Sequence, residues 1–151
     1  MEENLVLIEH PAEGVARIVL NRPDKRNAMS HEMWTALADS CHELARDYSV
    51  RVLVVRGVGG HFCAGADIGG FSGGMSDEYQ AQNREAEETL AAFPRPTIAF
   101  ITGSCVGGGV QIEAAQALQT ENLIADPKGE VDSARTSIAL DKLPADQWWW
   151  D

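Results

Sequence analysis

Two glycine clusters in this 151-residue chain stand where backbone amides can do chemistry: Gly65-Ala66 and Gly107-Gly108-Gly109, each following a β-branched run. Glycine lets a ligand approach the main chain and leaves N–H groups uncovered by side chains. The second cluster opens a helical stretch, whose first amides are unpaired and carry partial positive charge. Two such amides aimed at one point would form an oxyanion hole, worth several kcal/mol to a transition state that gathers negative charge there. Taken singly, each cluster also fits a close-packed glycine turn without chemistry. Other glycine-loop chemistries fail on spacing. There is no GxxxxGK[ST], Gly107-Gly108-Gly109-Val110-Gln111-Ile112 lacks the third glycine of a dinucleotide fingerprint, and no GxSxG surrounds Ser104. The remaining reactive side chains are isolated. His31 and His42 lack ligand partners, His61 reads as a turn residue, Cys63 as a small core residue, and Asp67 as the cap of a turn.

The elements that must position these groups alternate in type. Leu5 to Glu9 and Val15 to Leu20 read as an antiparallel pair joined by His10-Pro11-Ala12-Glu13-Gly14. A polar loop over 21–27 follows, and Ser30 then caps a helix whose face is Met33, Trp34, Leu37, Ala38, Cys41, Leu44 and Ala45. Val50 to Gly57 reads as a strand buried on both faces, as in parallel sheets. Ser76 caps a second helix with Tyr79, Ala86, Leu90 and Phe93 inward, ended by Pro94 and Pro96. Thr97 to Gly103 is a third buried strand, and Val110 to about Gln119 a helix. The order ββα, βα, βα predicts an α/β fold with helices covering a sheet.

Composition bounds the partners. Twelve basic against 23 acidic residues give a net charge of −11, which argues against nucleic acid and against anionic lipid. No apolar run approaches the ~20 residues of a membrane span. The acidic start, Met1-Glu2-Glu3-Asn4, has no basic n-region, so no secretory signal is expected. Cys41, Cys63 and Cys105 form no CxxC pair, so neither a disulfide framework nor a metal site is expected. The expected setting is a reducing compartment, the cytoplasm.

Several ordered segments together resemble the enoyl-CoA hydratase/isomerase (crotonase) family. They are Asn21-Arg22-Pro23 with Asn27-Ala28, then Phe62-Cys63-Ala64-Gly65-Ala66-Asp67-Ile68, then Arg95-Pro96-Thr97-Ile98-Ala99 leading to Gly103 and Val106-Gly107-Gly108-Gly109. The resemblance implies a crotonase-like spiral of ββα units over residues 1–120, followed by an atypical tail over 121–151. It implies that the amides of Ala66 and Gly108 are the two oxyanion-hole donors. Ala64, Asp67 and Ile68 then match the segment that contacts adenine and pantetheine. Lys25 and Arg26, beside Asn27-Ala28, sit where the family places its contacts to the phosphates of coenzyme A. Coenzyme A is here part of an acyl-CoA substrate, and no separate cofactor is implied. The implied reaction stabilises a thioester enolate, with hydration of a 2-enoyl-CoA as the default and isomerisation close behind.

The departures from that pattern matter as much. Gln111 stands where the family's hydratases carry a glutamate, and an amide can orient a water but cannot act as a general base. Glu113 is turned about 200° further round the helix. The second carboxylate falls near Val131, which makes Glu130 or Asp132 its candidate, and Gln116-Ala117 replaces the usual Cys-Asp pair. The family's homotrimer or hexamer is implied, with the counterpart of its C-terminal trimer region expected to be missing. A CoA-thioester-binding or interaction remnant without turnover is therefore the alternative function. Strands written for burial, together with Trp148-Trp149-Trp150, lead to an expectation of concentration-dependent association and a poorly ordered tail.

Overall fold

The computed structural model describes residues 4–70 and 74–124, with side chains as far as residue 116 apart from residue 70. By internal contacts the chain divides into Met1–Gln119 and Thr120–Asp151, and the architecture below belongs to the first unit. Of the second, residues 120–124 are helical. Glu130, Val131, Asp132 and the three tryptophans lie outside the described residues.

Four strands form one sheet in the order β1 (Val6–Ala12), β2 (Val15–Leu20), β3 (Val52–Gly57), β4 (Thr97–Phe100). β1 and β2 are antiparallel, whereas β2–β3 and β3–β4 are parallel. The parallel pairs need crossovers. Helix α1 (His31–Arg46) supplies the first and α2 (Asp77–Ala91) the second, while α3 (Gly108–Ile124) follows β4. The hairpin is tighter than its sequence suggests. His10-Pro11-Ala12 belongs to β1, past a register irregularity after Glu9, and the turn is Glu13-Gly14 with Gly14 at φ +76°. Proline is admissible there because β1 is an edge strand, where a missing N–H costs the ladder nothing.

Both predicted caps form: Ser30 Oγ accepts from Met33 N at 3.3 Å, and Ser76 Oγ from Tyr79 N at 3.1 Å. Trp34, Leu37, Cys41 and Leu44 of α1 and Tyr79, Ala86 and Leu90 of α2 bury together against Ala16, Ile18, Leu53 and Val55 of the sheet. Arg95 closes the C-terminus of α1, donating to the carbonyls of Leu44 (2.7 Å), Ala45 (2.9 Å) and Asp47 (3.0 Å).

Burial in β3 alternates, contrary to the expectation of two covered faces, whereas in β2 Val19 is buried beside Ile18 and Leu20. In β3, Leu53, Val55 and Gly57 are buried, while Val52, Val54 and Arg56 are partly exposed. β4 is shorter than expected, and Ile98, paired with Val54, is 38% exposed. The cause is that the side chains of the core cluster all lie to one face of the sheet. An apolar run alone does not reveal how many layers will pack on it. Helix α3 is longer than predicted, starting at Gly108 itself, with Ile112 and Ala115 buried.

Helix α2 also carries a cost. Burial raises the pKa of Glu87, and its Oε1 has no hydrogen-bond partner among the described residues. The folded chain thus holds the Glu87 proton more tightly than the unfolded chain. Ionisation costs stability, a cost absent below the ordinary carboxyl value of 4.5 and growing as pH rises through the raised value. Glu87→Gln is expected to raise the urea midpoint at pH 7 and to leave it unchanged well below pH 4.5. An equal gain at both pH values would contradict the assignment to charge.

Candidate functional site

The site is assembled where two loops leave the C-terminal ends of β3 and β4. After β3 the chain turns tightly, because Gly57 has no room for a Cβ, which would collide with the carbonyl oxygens of His61 and Phe62. The returning segment then pairs with the loop after β4. Phe62 N donates to Thr102 O (2.7 Å), Cys63 N to Ser104 O (2.9 Å), and Val106 N to Cys63 O (3.0 Å). His61 links the same two loops, its Nδ1 accepting from Ser104 N at 3.1 Å. These bonds bring the two glycine clusters together. A Cβ on Gly107 would lie 3.5 Å from Gly65 Cα, and one on Gly65 would lie 3.3 Å from Val106 O. Both glycines have positive φ, +102° at Gly65 and +50° at Gly107, which glycine adopts without strain.

A second ladder joins the Gly65 segment to the polar loop after β2. Ala64 N donates to Arg26 O (3.0 Å), Met29 N to Gly65 O (2.7 Å), and Asp67 N to Met29 O (2.9 Å). This alternation passes over Ala66. Among the described residues, neither Ala66 N nor Gly108 N donates to a protein acceptor. Two free amide donors thus follow directly on two glycines that touch. Gly108 is moreover the first residue of α3, where the helix contributes partial positive charge. Its Cα packs on Trp34, since a Cβ there would lie 3.0 Å from Trp34 Cζ2.

The polar loop is held by Asn27, quoted within a motif in the sequence but given no role there. Asn27 is fully buried and left-handed (φ 58°). Its Nδ2 donates to Val58 O (2.9 Å) and His61 O (2.7 Å), and its Oδ1 accepts from Arg22 N (2.9 Å). Asparagine tolerates that backbone better than most residues, and this is the signal a sequence offers. Lys25 and Arg26 are exposed beside it, a local cationic exception in a chain of net charge −11. Ala28 is buried, and its carbonyl accepts from Arg22 Nη1 at 3.2 Å. Ala64 is half-buried and Ile68 is 78% exposed, so an apolar edge flanks the cations.

Asp67 spends both oxygens locally. Oδ2 pairs with Arg22 Nη1 at 2.7 Å, and Oδ1 accepts from Gly69 N at 3.1 Å, the turn role expected of it. The Arg22 hydrogen bond first, then that of Gly69, hold its carboxyl below the usual range. Cys63 is buried, which pushes its thiol up to about 11 and leaves little thiolate at neutral pH. His31 is engaged structurally, with Nδ1 2.8 Å from Gln82 Oε1 and its ring edge-on to Tyr79.

At the start of α3, Gln111 is exposed one turn beyond Gly108, and its Oε1 accepts from Asn83 Nδ2 of α2 at 3.1 Å. No sequence signal pointed to Asn83. Burial first, then the charge of Glu113, raises the pKa of the Cys105 thiol. Among the described residues no group of three or more His, Cys, Asp or Glu side chains is placed to hold a metal ion. None of the described helices is long and apolar enough to cross a membrane.

The family profile described as Enoyl-CoA hydratase/isomerase matches residues 10–125. The chain is similar to the mitochondrial enoyl-CoA hydratase domain-containing protein 2 of Bos taurus. The two are 38% identical over 118 residues, covering 70% of this chain and 37% of the relative. A probable enoyl-CoA hydratase of Mycobacterium leprae is 31% identical over 135 residues, covering 86% and 52%. Among solved structures, an enoyl-CoA hydratase/carnithine racemase from Magnetospirillum magneticum superposes with a TM-score of 0.70 at 33% identity. It covers 76% of this chain and 45% of that one. An enoyl-CoA hydratase from Bacillus anthracis gives 0.69 at 28% identity, covering 74% and 45%. The chain therefore spans between about a third and a half of the length of these relatives.

Proposed function

Because this chain belongs to the enoyl-CoA hydratase/isomerase family, with a crotonase-type fold, we propose that its core over residues 1–120 binds an acyl-CoA thioester and stabilises its enolate. The observation that carries this reading is the pair of unused amides, Ala66 N and Gly108 N, on adjoining glycine segments. A thioester carbonyl oxygen accepting from both would gain negative charge at little reorganisation cost, aided by the N-terminus of α3. The exposed Lys25 and Arg26 offer charge to the phosphates of coenzyme A, and the edge of Ala64, Asp67 and Ile68 offers a surface to adenine and pantetheine. Coenzyme A enters as part of the substrate.

Hydration of a 2-enoyl-CoA is the default reaction, adding water across the α,β double bond through the enolate. Gln111 can hold a water but not deprotonate it. A carboxylate elsewhere must therefore do so, and Glu130 is the first candidate. Isomerisation needs a single acid/base group and follows the same enolate. The compartment we propose is the cytoplasm, and the assembly the family's homotrimer or hexamer.

Two measurements on the same preparation test the reading: calorimetric affinity for butyryl-CoA and loss of enoyl absorbance with crotonyl-CoA. Micromolar binding with turnover supports it. Binding without turnover leaves a CoA-thioester-binding protein, in line with neutral Gln111. No binding of either thioester would sink it.

A further inference from the structure

Two of the three cysteines, far apart in sequence, are brought face to face by the loops that build the site. Cys63 and Cys105 are partners in a parallel β-bridge. Its register is held by Cys63 N donating to Ser104 O at 2.9 Å and Val106 N to Cys63 O at 3.0 Å. Segments paired in this way run about 4.7–4.9 Å apart, inside the Cα separation of roughly 4.4–6.8 Å that a disulfide spans. Paired residues also present their side chains to the same face. The approach of α3 points to the same place. A Cβ on Gly109 would lie 3.0 Å from Cys63 Cβ and 3.5 Å from Cys105 Sγ, so both side chains border one small volume under the first turn of the helix. Both thiols are free, Cys63 fully buried and Cys105 partly exposed. Cys63 Sγ is turned to Gly65, accepting from its N at 3.5 Å, and rotation about the Cα–Cβ bond is the movement that turns it to Cys105.

We propose that Cys63 and Cys105 form a reversible redox pair, closed by peroxide into a disulfide that staples the loop after β3 to the loop after β4. Cys105, the more accessible thiol, reacts first. Its sulfur attacks one oxygen of hydrogen peroxide, the O–O bond breaks, and Cys105 sulfenic acid and water result. Cys63 sulfur then attacks Cys105 sulfur, the S–O bond breaks, and the departing hydroxide takes the Cys63 proton as a second water. Two thiols lose two electrons, and one peroxide is reduced to two waters. Reduction by a dithiol restores both thiols. Burial, then the charge of Glu113, raises the Cys105 thiol, so the pair answers sustained excess peroxide and not traces. The staple sits just before Gly65-Ala66 in one loop and just before Gly107-Gly108 in the other, and so ties together the two segments that carry the unused amides.

The test exposes the folded chain to excess hydrogen peroxide, blocks remaining thiols with an alkylating agent, and reads intact mass, thiol count and the peptide map. Free thiols are expected to fall from three to one, with loss of two hydrogens from the chain and a cross-link between the Cys63 and Cys105 peptides. Dithiothreitol should reverse all three changes. Cys41, fully buried on α1, should keep its thiol. Oxidation should also raise the urea midpoint, because the cross-link restricts the unfolded chain. Cys63→Ala should leave Cys105 as a sulfenic acid that dimedone traps, whereas Cys105→Ala should leave Cys63 unmodified. Indiscriminate oxidation would not produce that asymmetry. The wild-type peptide map decides the matter by itself should either variant fail to fold. Survival of all three thiols, a cross-link that involves Cys41 or joins two chains, or sulfinic acid at Cys105 in place of the disulfide would overturn the inference. None of these readouts depends on thioester binding.

Discussion

Replacing Asn27 by alanine is expected to destabilise the chain by at least about 3 kcal/mol, a large share of the ~5–15 kcal/mol typical of a domain. Three hydrogen bonds disappear together. The carbonyls of Val58 and His61 lose their shared donor, and Arg22 N loses its acceptor. Each group left buried and unpaired costs roughly 1–3 kcal/mol. Alanine is also poorly suited to the left-handed backbone at φ 58°. Asn27→Gly separates these causes, since it relieves the backbone while still losing the bonds, so it should fall between wild type and alanine. Asn27→Asp should be worse than alanine, because it sets an oxygen against two carbonyl oxygens. Urea midpoints for the three variants provide the check. An alanine variant within about 0.5 kcal/mol of wild type, the scale of ordinary surface substitutions, would show that the clamp does not hold the loop.

The second large effect is expected at Gly108. Proline removes the N–H, which is the property the proposed site uses, yet it is admissible at the first residue of a helix, where that N–H makes no helical bond. Alanine keeps the N–H but brings a Cβ to 3.0 Å from Trp34 Cζ2, so it reports the steric cost by itself. The useful quantity is the ratio between the two variants. On the oxyanion-hole reading, Gly108→Pro should fall below Gly108→Ala by about 10²–10³ in kcat/KM, the usual loss for one such donor. If there is no turnover, acyl-CoA affinity should show a loss in the same direction. Equal behaviour of proline and alanine would remove Gly108 N from the site.

Where structure is local, the sequence announces it. Ser30 and Ser76 cap their helices as their positions before an apolar period require, and Trp34, Leu37, Cys41 and Leu44 lie inward as the 3.6-residue repeat demands. Burial of strands was less legible. Val52 and Val54 are as apolar as Leu53 and Val55, and only the placement of the helices on one face separates them. The site divides in the same way. The glycine clusters were visible, because close backbone approach demands glycine, as at Gly65 and Gly107. Asn83 was not, since an amide on a polar helix becomes informative only when another helix brings Gln111 to it. Asn27 was half visible: its motif stood out, but its three bonds depend on loops from elsewhere in the chain.

The bonds that clamp this site connect partners far apart in sequence, 34 residues between Asn27 and His61 and 43 between His61 and Ser104. Each such contact closes a long loop before it returns any energy, and chains rich in contacts of this kind fold slowly. Helix α1, with its cap three residues away, can form early without them. The amide pair at Ala66 and Gly108 is therefore expected only once both loops have closed on the glycine clusters. A collapsed intermediate with full helical content would still lack it, so helicity is a poor proxy for a competent site, and occupancy of the site reports on the whole topology.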